Sequence, residues 1–212
     1  GGSIDGTLAY TGNMNELVHY PWTLSATEQQ KINSYLAVKW GITLNQTTPT
    51  NYLAADGTVI WTGETTFKYD ITGIGRDDCS ALDQLQSTST DSLDIVTISK
   101  GNLATTNYTN ESSFSADKQF VMFAHNNGAI NSLNATSMPA ALLSVSDCYQ
   151  KLGRVWKTQV TGSAGAVQLR LGKQGLFVFN KSYYKPKLLI SASSTDFTSA
   201  TIVDADSVSN GI

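Results

Sequence analysis

The chain carries one stretch of helical periodicity and, after it, short runs of Val, Ile, Thr, Tyr and Phe broken repeatedly by Gly and Asn. That imbalance restricts it to a mainly β architecture, because β-branched and aromatic residues fit a pleated surface and the punctuating residues supply turns. Thr58 to Trp61, Asp70 to Gly75, Asp94 to Ser99, Gln119 to His125, Arg154 to Thr161, Ala166 to Leu171, Lys187 to Ser191 and Thr201 to Asp204 read as strands, and Asn15 to Tyr20 as one more before the helix.

The helix is marked by Ser25-Ala26-Thr27-Glu28, a capping box in which the Ser and Glu side chains satisfy the free amides of a first turn. Ile32, Tyr35, Leu36 and Trp40 follow on one stripe, and Gly41 can take the left-handed conformation that ends a helix. The spacing predicts a helix over 26–40. Short strands with turns between them favour a β-sandwich, with the one amphipathic α-helix near the N-terminus packed on a sheet. No repeat of fixed period is visible, and Thr47 to Thr50 and Thr105 to Ser115 read as loops, so residues 1–212 are taken as a single domain.

At 212 residues the chain is long enough to bury roughly 70% of its unfolded surface without a staple. A net charge of −3, with 14 Lys and Arg spread thinly, offers no basic stripe for phosphates and argues against nucleic acid. No apolar run approaches the roughly 18 residues of a span, so no membrane insertion is expected. The start, Gly1 to Gly6, has no signal-peptide pattern, and the chain reads as a soluble, monomeric module of a larger chain. Cys79 and Cys148 form no C-x-x-C pair; a disulfide and two buried thiols are the alternatives.

The densest polar cluster is Tyr69 to Asp78, which ends in Gly73-Ile74-Gly75-Arg76-Asp77-Asp78. Adjacent carboxylates suit Ca²⁺, a hard cation that gathers six to eight oxygens, and Arg76 adds a fork for an anionic group. The other reading is that Asp77 and Asp78 cap a turn and Arg76 makes a surface pair. A second cluster, His125-Asn126-Asn127-Gly128, leaves an apolar strand; Asn amides suit a peptide backbone, a sugar hydroxyl or an ion, and the same residues build a turn equally well. Asp204 with Asp206, and Asp91 with Asp94, read as solvated edge charge, and Asp5-Gly6 as a ligand or a turn. His19, in Leu17-Val18-His19-Tyr20, reads as a structural His, no G-x-S-x-G elbow exists and neither Cys has a visible His partner, so the chain is expected not to be an enzyme.

The order "ELVHYPWTLSATEQQKINSYLAVKWGITL" resembles the closing strand and helix of concanavalin A-like lectin modules, followed by the opening of a β domain of bacterial surface proteins. "NYLAADGTVIW", "YDITGIGRDDCSALDQLQS", "FVMFAHNNGAI", "LGRVWKTQVTG" and "LLISASSTDF" continue the likeness across nearly the whole chain. The family it resembles is the peptide-binding-like, ligand-binding domain of large bacterial RTX adhesins.

That resemblance implies an extracellular module at a bacterial cell surface that uses Ca²⁺ to capture a peptide or protein C-terminus on another cell, or a glycan, and promotes adhesion and biofilm formation. Carried over by position, Asp77 and Asp78 would hold the metal, and Gly73, Gly75, Arg76, Asn126, Asn127 and Gly128 the ligand, against an aromatic wall of Tyr69, Trp61 or Trp156. Cys79 and Cys148 depart from the pattern and leave a disulfide open. A calcium-dependent lectin and a structural spacer are the rival expectations; competition by glycans marks the first and absence of any free ligand the second.

Overall fold

Ser25 sits in extended backbone and accepts from the Glu28 N–H at 3.3 Å, while the Glu28 carboxylate takes the Ser25 N–H at 2.8 Å, so the predicted capping box forms and α1 runs from Ala26 to Trp40. Gly41 ends it at φ 66°, its N–H donating to the Ala37 carbonyl. The computed structural model describes residues 12–88, 95–143, 150–172 and 186–206. Within them the strands are β1 (Tyr52–Leu53), β2 (Val59–Trp61), β3 (Tyr69–Asp77), β4 (Leu82–Gln84), β5 (Gln86–Thr88), β6 (Val96–Ser99) and β7 (Gln119–His125). They continue with β8 (Leu133–Asn134), β9 (Lys151–Leu152), β10 (Trp156–Thr161), β11 (Gln168–Leu171), β12 (Lys187–Ile190) and β13 (Thr201–Asp204). A second, short helix, α2, spans Ala140–Leu143.

The protein is mostly β, as expected, and the antiparallel sheet β10-β7-β3-β4 is its centre. All of β7 is buried, because this apolar strand is covered on both faces. Phe120, Met122 and Ala124 point one way, into a core with Ala37 and Val38 of α1, Tyr52, Ile60, Trp61 and Ile71. Val121 and Phe123 point the other way, toward Ile74, Leu85, Val96, Ile98 and Phe114. The second core lies against the three-stranded sheet β11-β6-β5, where the Thr72 and Ser87 hydroxyls pair at 2.7 Å. The period-2 alternation of one strand thus organises a layer of helix and hairpin, a central sheet and an opposing sheet.

One expected strand does not form: residues 15–20 run without a ladder partner among the described residues. Alternation alone makes no strand; a neighbour must accept the backbone bonds. His19 there is exposed, not a satisfied core His. No described helix is long and apolar enough to cross a membrane.

Candidate functional site

The two polar clusters picked out in the sequence lie at opposite ends of one strand. Strand β3 runs antiparallel to β7 with Tyr69 facing His125 and Arg76 facing Gln119. Asn126 to Gly128, just past β7, therefore sit at the Tyr69 end, and Arg76 to Asp78 sit roughly 23 Å away, at about 3.3 Å per residue. A single pocket shared by both sets does not exist in this fold.

Between the ends, Gly73 and Gly75 are buried, and a Cβ on Gly73 would stand 2.5 Å from Met122 Sδ, one on Gly75 2.1 Å from Phe120 Cδ1. These glycines make room for the β7 side chains that pack toward α1; they do not open the backbone to a ligand, which corrects their expected role.

At the far end, Asp77 is 2% exposed. Its Oδ1 receives the Lys118 ammonium and the Cys79 N–H, and its Oδ2 receives the Ala55 N–H at 2.7 Å. Asp78 takes the Arg76 fork through Nε at 2.6 Å and Nη2 at 3.0 Å, and its N–H donates to Asp117 at 2.8 Å. The hydrogen bonds from Asp78 raise the Arg76 pKa, and the Asp78 N–H holds the Asp117 carboxyl below its usual range. Burial opposes the charge on Lys118, but its bonds to Asp77 and Asp117 outweigh that and its pKa is raised.

Two cations thus occupy the carboxylates that Ca²⁺ was expected to bridge. A metal ion would have to displace an ammonium and a guanidinium from these two carboxylates. Among the described residues no group of three or more His, Cys, Asp or Glu is placed to hold a metal. Cys79 is a free, exposed thiol, and Cys148, Asp5, Asp91 and Asp94 lie outside the described residues. Asp204 is edge charge paired with Lys187 across the β12–β13 hairpin.

At the near end the β3–β7 register slips by one residue between Tyr69 and Thr72, a bulge that puts Asp70 at φ 53°. Its Oδ2 stands 2.6 Å from His125 Nε2, while the Asn127 N–H donates to His125 Nδ1 at 2.9 Å. Nδ1 is therefore the acceptor and Nε2 the donor. Tyr69 stacks on this ring at 5.9 Å and Trp156 meets it edge-on at 6.4 Å.

The Asn126 Oδ1 accepts from the Gly128 and Val155 N–H groups at 2.9 and 3.0 Å. A Cβ on Gly128 would lie 2.1 Å from the Gly153 carbonyl oxygen. Arg154 donates to the Gly128 carbonyl at 2.9 Å, and burial pushes its pKa below the usual value. Asn126 and Gly128 hold two loops together, and Asn127 is the exposed member of the trio. With both ring nitrogens engaged internally, His125 holds backbone rather than offering a lone pair to a ligand. Of the three candidate wall aromatics, Trp61 is fully buried, Trp156 half-buried and Tyr69 37% exposed.

An open concave site lies elsewhere. Residues 16–24 cross beside α1, and Glu16, Val18, Tyr20, Trp22 and Leu24, alternate residues of this segment, line a cavity of about 460 Å³ with Ile32, Tyr35 and Val38 of the helix. The buried Ile60, Leu82 and Phe120 form its apolar depth, and Asp77, Cys79 and Ser80 also line it. One end of the segment is anchored by Glu16, which receives Trp40 Nε1 at 3.0 Å, Tyr35 OH at 3.3 Å and Lys39 Nζ at 3.0 Å. The Lys39 bond, foremost, holds the Glu16 carboxyl below its usual range. The capping box anchors the other end. Tyr20 and Trp22 meet edge-to-face at 5.7 Å, and Trp22 is 61% exposed. The signal in the sequence is the alternation from Asn15 to Tyr20, which reads as a strand and here lines a cavity.

No curated protein and no solved structure matches the chain. A family model does match, over residues 28–211. The chain belongs to that family, DUF8202, described as a domain of unknown function.

Proposed function

We propose that this chain is a non-catalytic ligand-binding module of a bacterial surface adhesin, taking short peptides from another cell in the cavity beside α1. The observation that carries the reading is the cavity itself. At about 460 Å³ and walled by Tyr20, Trp22, Tyr35 and aliphatic side chains, it has the size and apolar character of ligand sites. Exposed aromatic residues of this kind contribute large contact area at low entropic cost. Among the described residues Lys31 is the one cation lining it, and a free peptide carboxylate belongs beside that ammonium. The resemblance to RTX adhesin ligand-binding domains supports the extracellular setting and the role in attachment. Calcium takes no part in the reading, since Asp77 and Asp78 are already paired.

The test is binding to an array of free-carboxylate peptides and glycans, comparing wild type with Trp22→Ser and Lys31→Gln. Peptide hits weakened at least tenfold by Trp22→Ser are expected. Hits on glycans alone would replace the reading with a lectin, and silence on both with a structural spacer.

A further inference from the structure

We infer that the peptide enters this cavity as an added β-strand, pairing its backbone with residues 16–20 and placing alternate, uncharged side chains in the apolar depth. The inference rests on the peptide reading above. Three observations carry it. Glu16, Val18 and Tyr20 line the cavity while Leu17, between the first two, is 77% exposed and His19, between the second and third, is exposed, which is the side-chain alternation of a strand. Yet no backbone hydrogen bond ties 16–20 to another strand among the described residues, so a row of amides and carbonyls is open to a partner. Pro21 lacks an N–H and limits the ladder to the residues before it, roughly 16 Å of strand.

The charges around the cavity select the partner's side chains. Glu16 is paired with Lys39, Asp77 with Lys118, and Glu28 is closed into the capping box. A cationic side chain entering here would lose water and find these carboxylates already taken, whereas Val, Thr or Phe loses little, and Lys31 is left for the peptide's free C-terminal carboxylate.

The probe is acetyl-Thr-Val-Thr-Phe-Thr-Val with a free C-terminus, beside the same peptide carrying backbone N-methyl groups at alternate residues. Binding is followed by isothermal titration, and hydrogen exchange of the full chain is measured with and without peptide. Binding of the plain peptide, a loss of at least tenfold on N-methylation, and slowed exchange at residues 16–20 are expected. Val18→Pro, at a position with no ladder bond to lose, should keep the thermal midpoint and abolish binding.

Equal affinity for the N-methylated peptide, or slowed exchange confined to α1, would overturn strand addition while leaving the cavity as a peptide site. No binding of either probe while array peptides still depend on Trp22 would do the same. Concentration-dependent protection of 16–20 without peptide would also overturn it, in favour of a second copy of this chain as the occupant.

Discussion

The Asp70 carboxylate stands 2.6 Å from Nε2 of His125, and it gets there because a one-residue bulge swings it out of the β3 ladder into a left-handed backbone conformation. A side chain in that conformation is strained, and here the strain is held by the imidazole, whose other nitrogen takes the Asn127 N–H. Asp70→Ala removes the acceptor and keeps the strain, and is expected to destabilise by about 2–3 kcal/mol. Asp70→Asn keeps an acceptor and tolerates the backbone, and should lose less than half as much. Urea denaturation midpoints of the two variants decide it; equal losses would show that charge, and not the hydrogen bond, holds the bulge.

Gly75→Ala tests the packing role of the β3 glycines. The added methyl lands on the Phe120 ring and should cost about 1–3 kcal/mol. Gly75→Ala with Phe120→Leu should recover part of the loss, an interaction visible in a double-mutant cycle of thermal midpoints.

The start of α1 should be sensitive to acid. The Ser25 hydroxyl, and then the Ser25 N–H, hold the Glu28 carboxyl below its ordinary value of 4.5. The folded pKa is thus below the unfolded one, so the contribution is full above pH 4.5 and is lost as pH falls through the folded value. Glu28→Gln keeps the bond from the Ser25 N–H and should flatten the fall in thermal midpoint on acidification. Ser25→Ala should cost about 1 kcal/mol at neutral pH, read by circular dichroism melts.

The pairing of Asp77 with Lys118 makes a prediction about calcium. Millimolar Ca²⁺ or chelator should leave the thermal midpoint of the wild type unchanged. Asp77→Ala should lower stability by about 1–3 kcal/mol under both conditions, because it removes the acceptor of two N–H groups and leaves the Lys118 ammonium with Asp117 alone. A midpoint that rises with Ca²⁺ in the wild type alone would restore the metal site.

Much of the fold is legible in the chain's local order. The Ser25-to-Glu28 box and the Gly41 stop place α1 at 26–40, and the alternation in Gln119 to His125 places β7, because caps and period-2 burial depend on near neighbours in sequence. The short strands Leu82–Gln84 and Gln86–Thr88 escape such a reading, being too brief to show a period. Asn15 to Tyr20 has the period and lacks the partner.

The sites depend on what meets across the sheet. Sequence alone determined that Arg76, Asp77 and Asp78 form one polar cluster and Asn126 to Gly128 another. The antiparallel pairing of β3 with β7 decided that they lie at opposite ends, that Lys118 neutralises Asp77, and that Asp70 and Asn127 close on His125. The cavity beside α1 was likewise a tertiary outcome, since its walls come from residues as far apart as Glu16 and Phe120. The physical reason is one of range. Capping and pleating act over a few residues of chain, whereas a carboxylate's role is set by whichever cation folding delivers to within hydrogen-bond distance, and that cation can come from any strand.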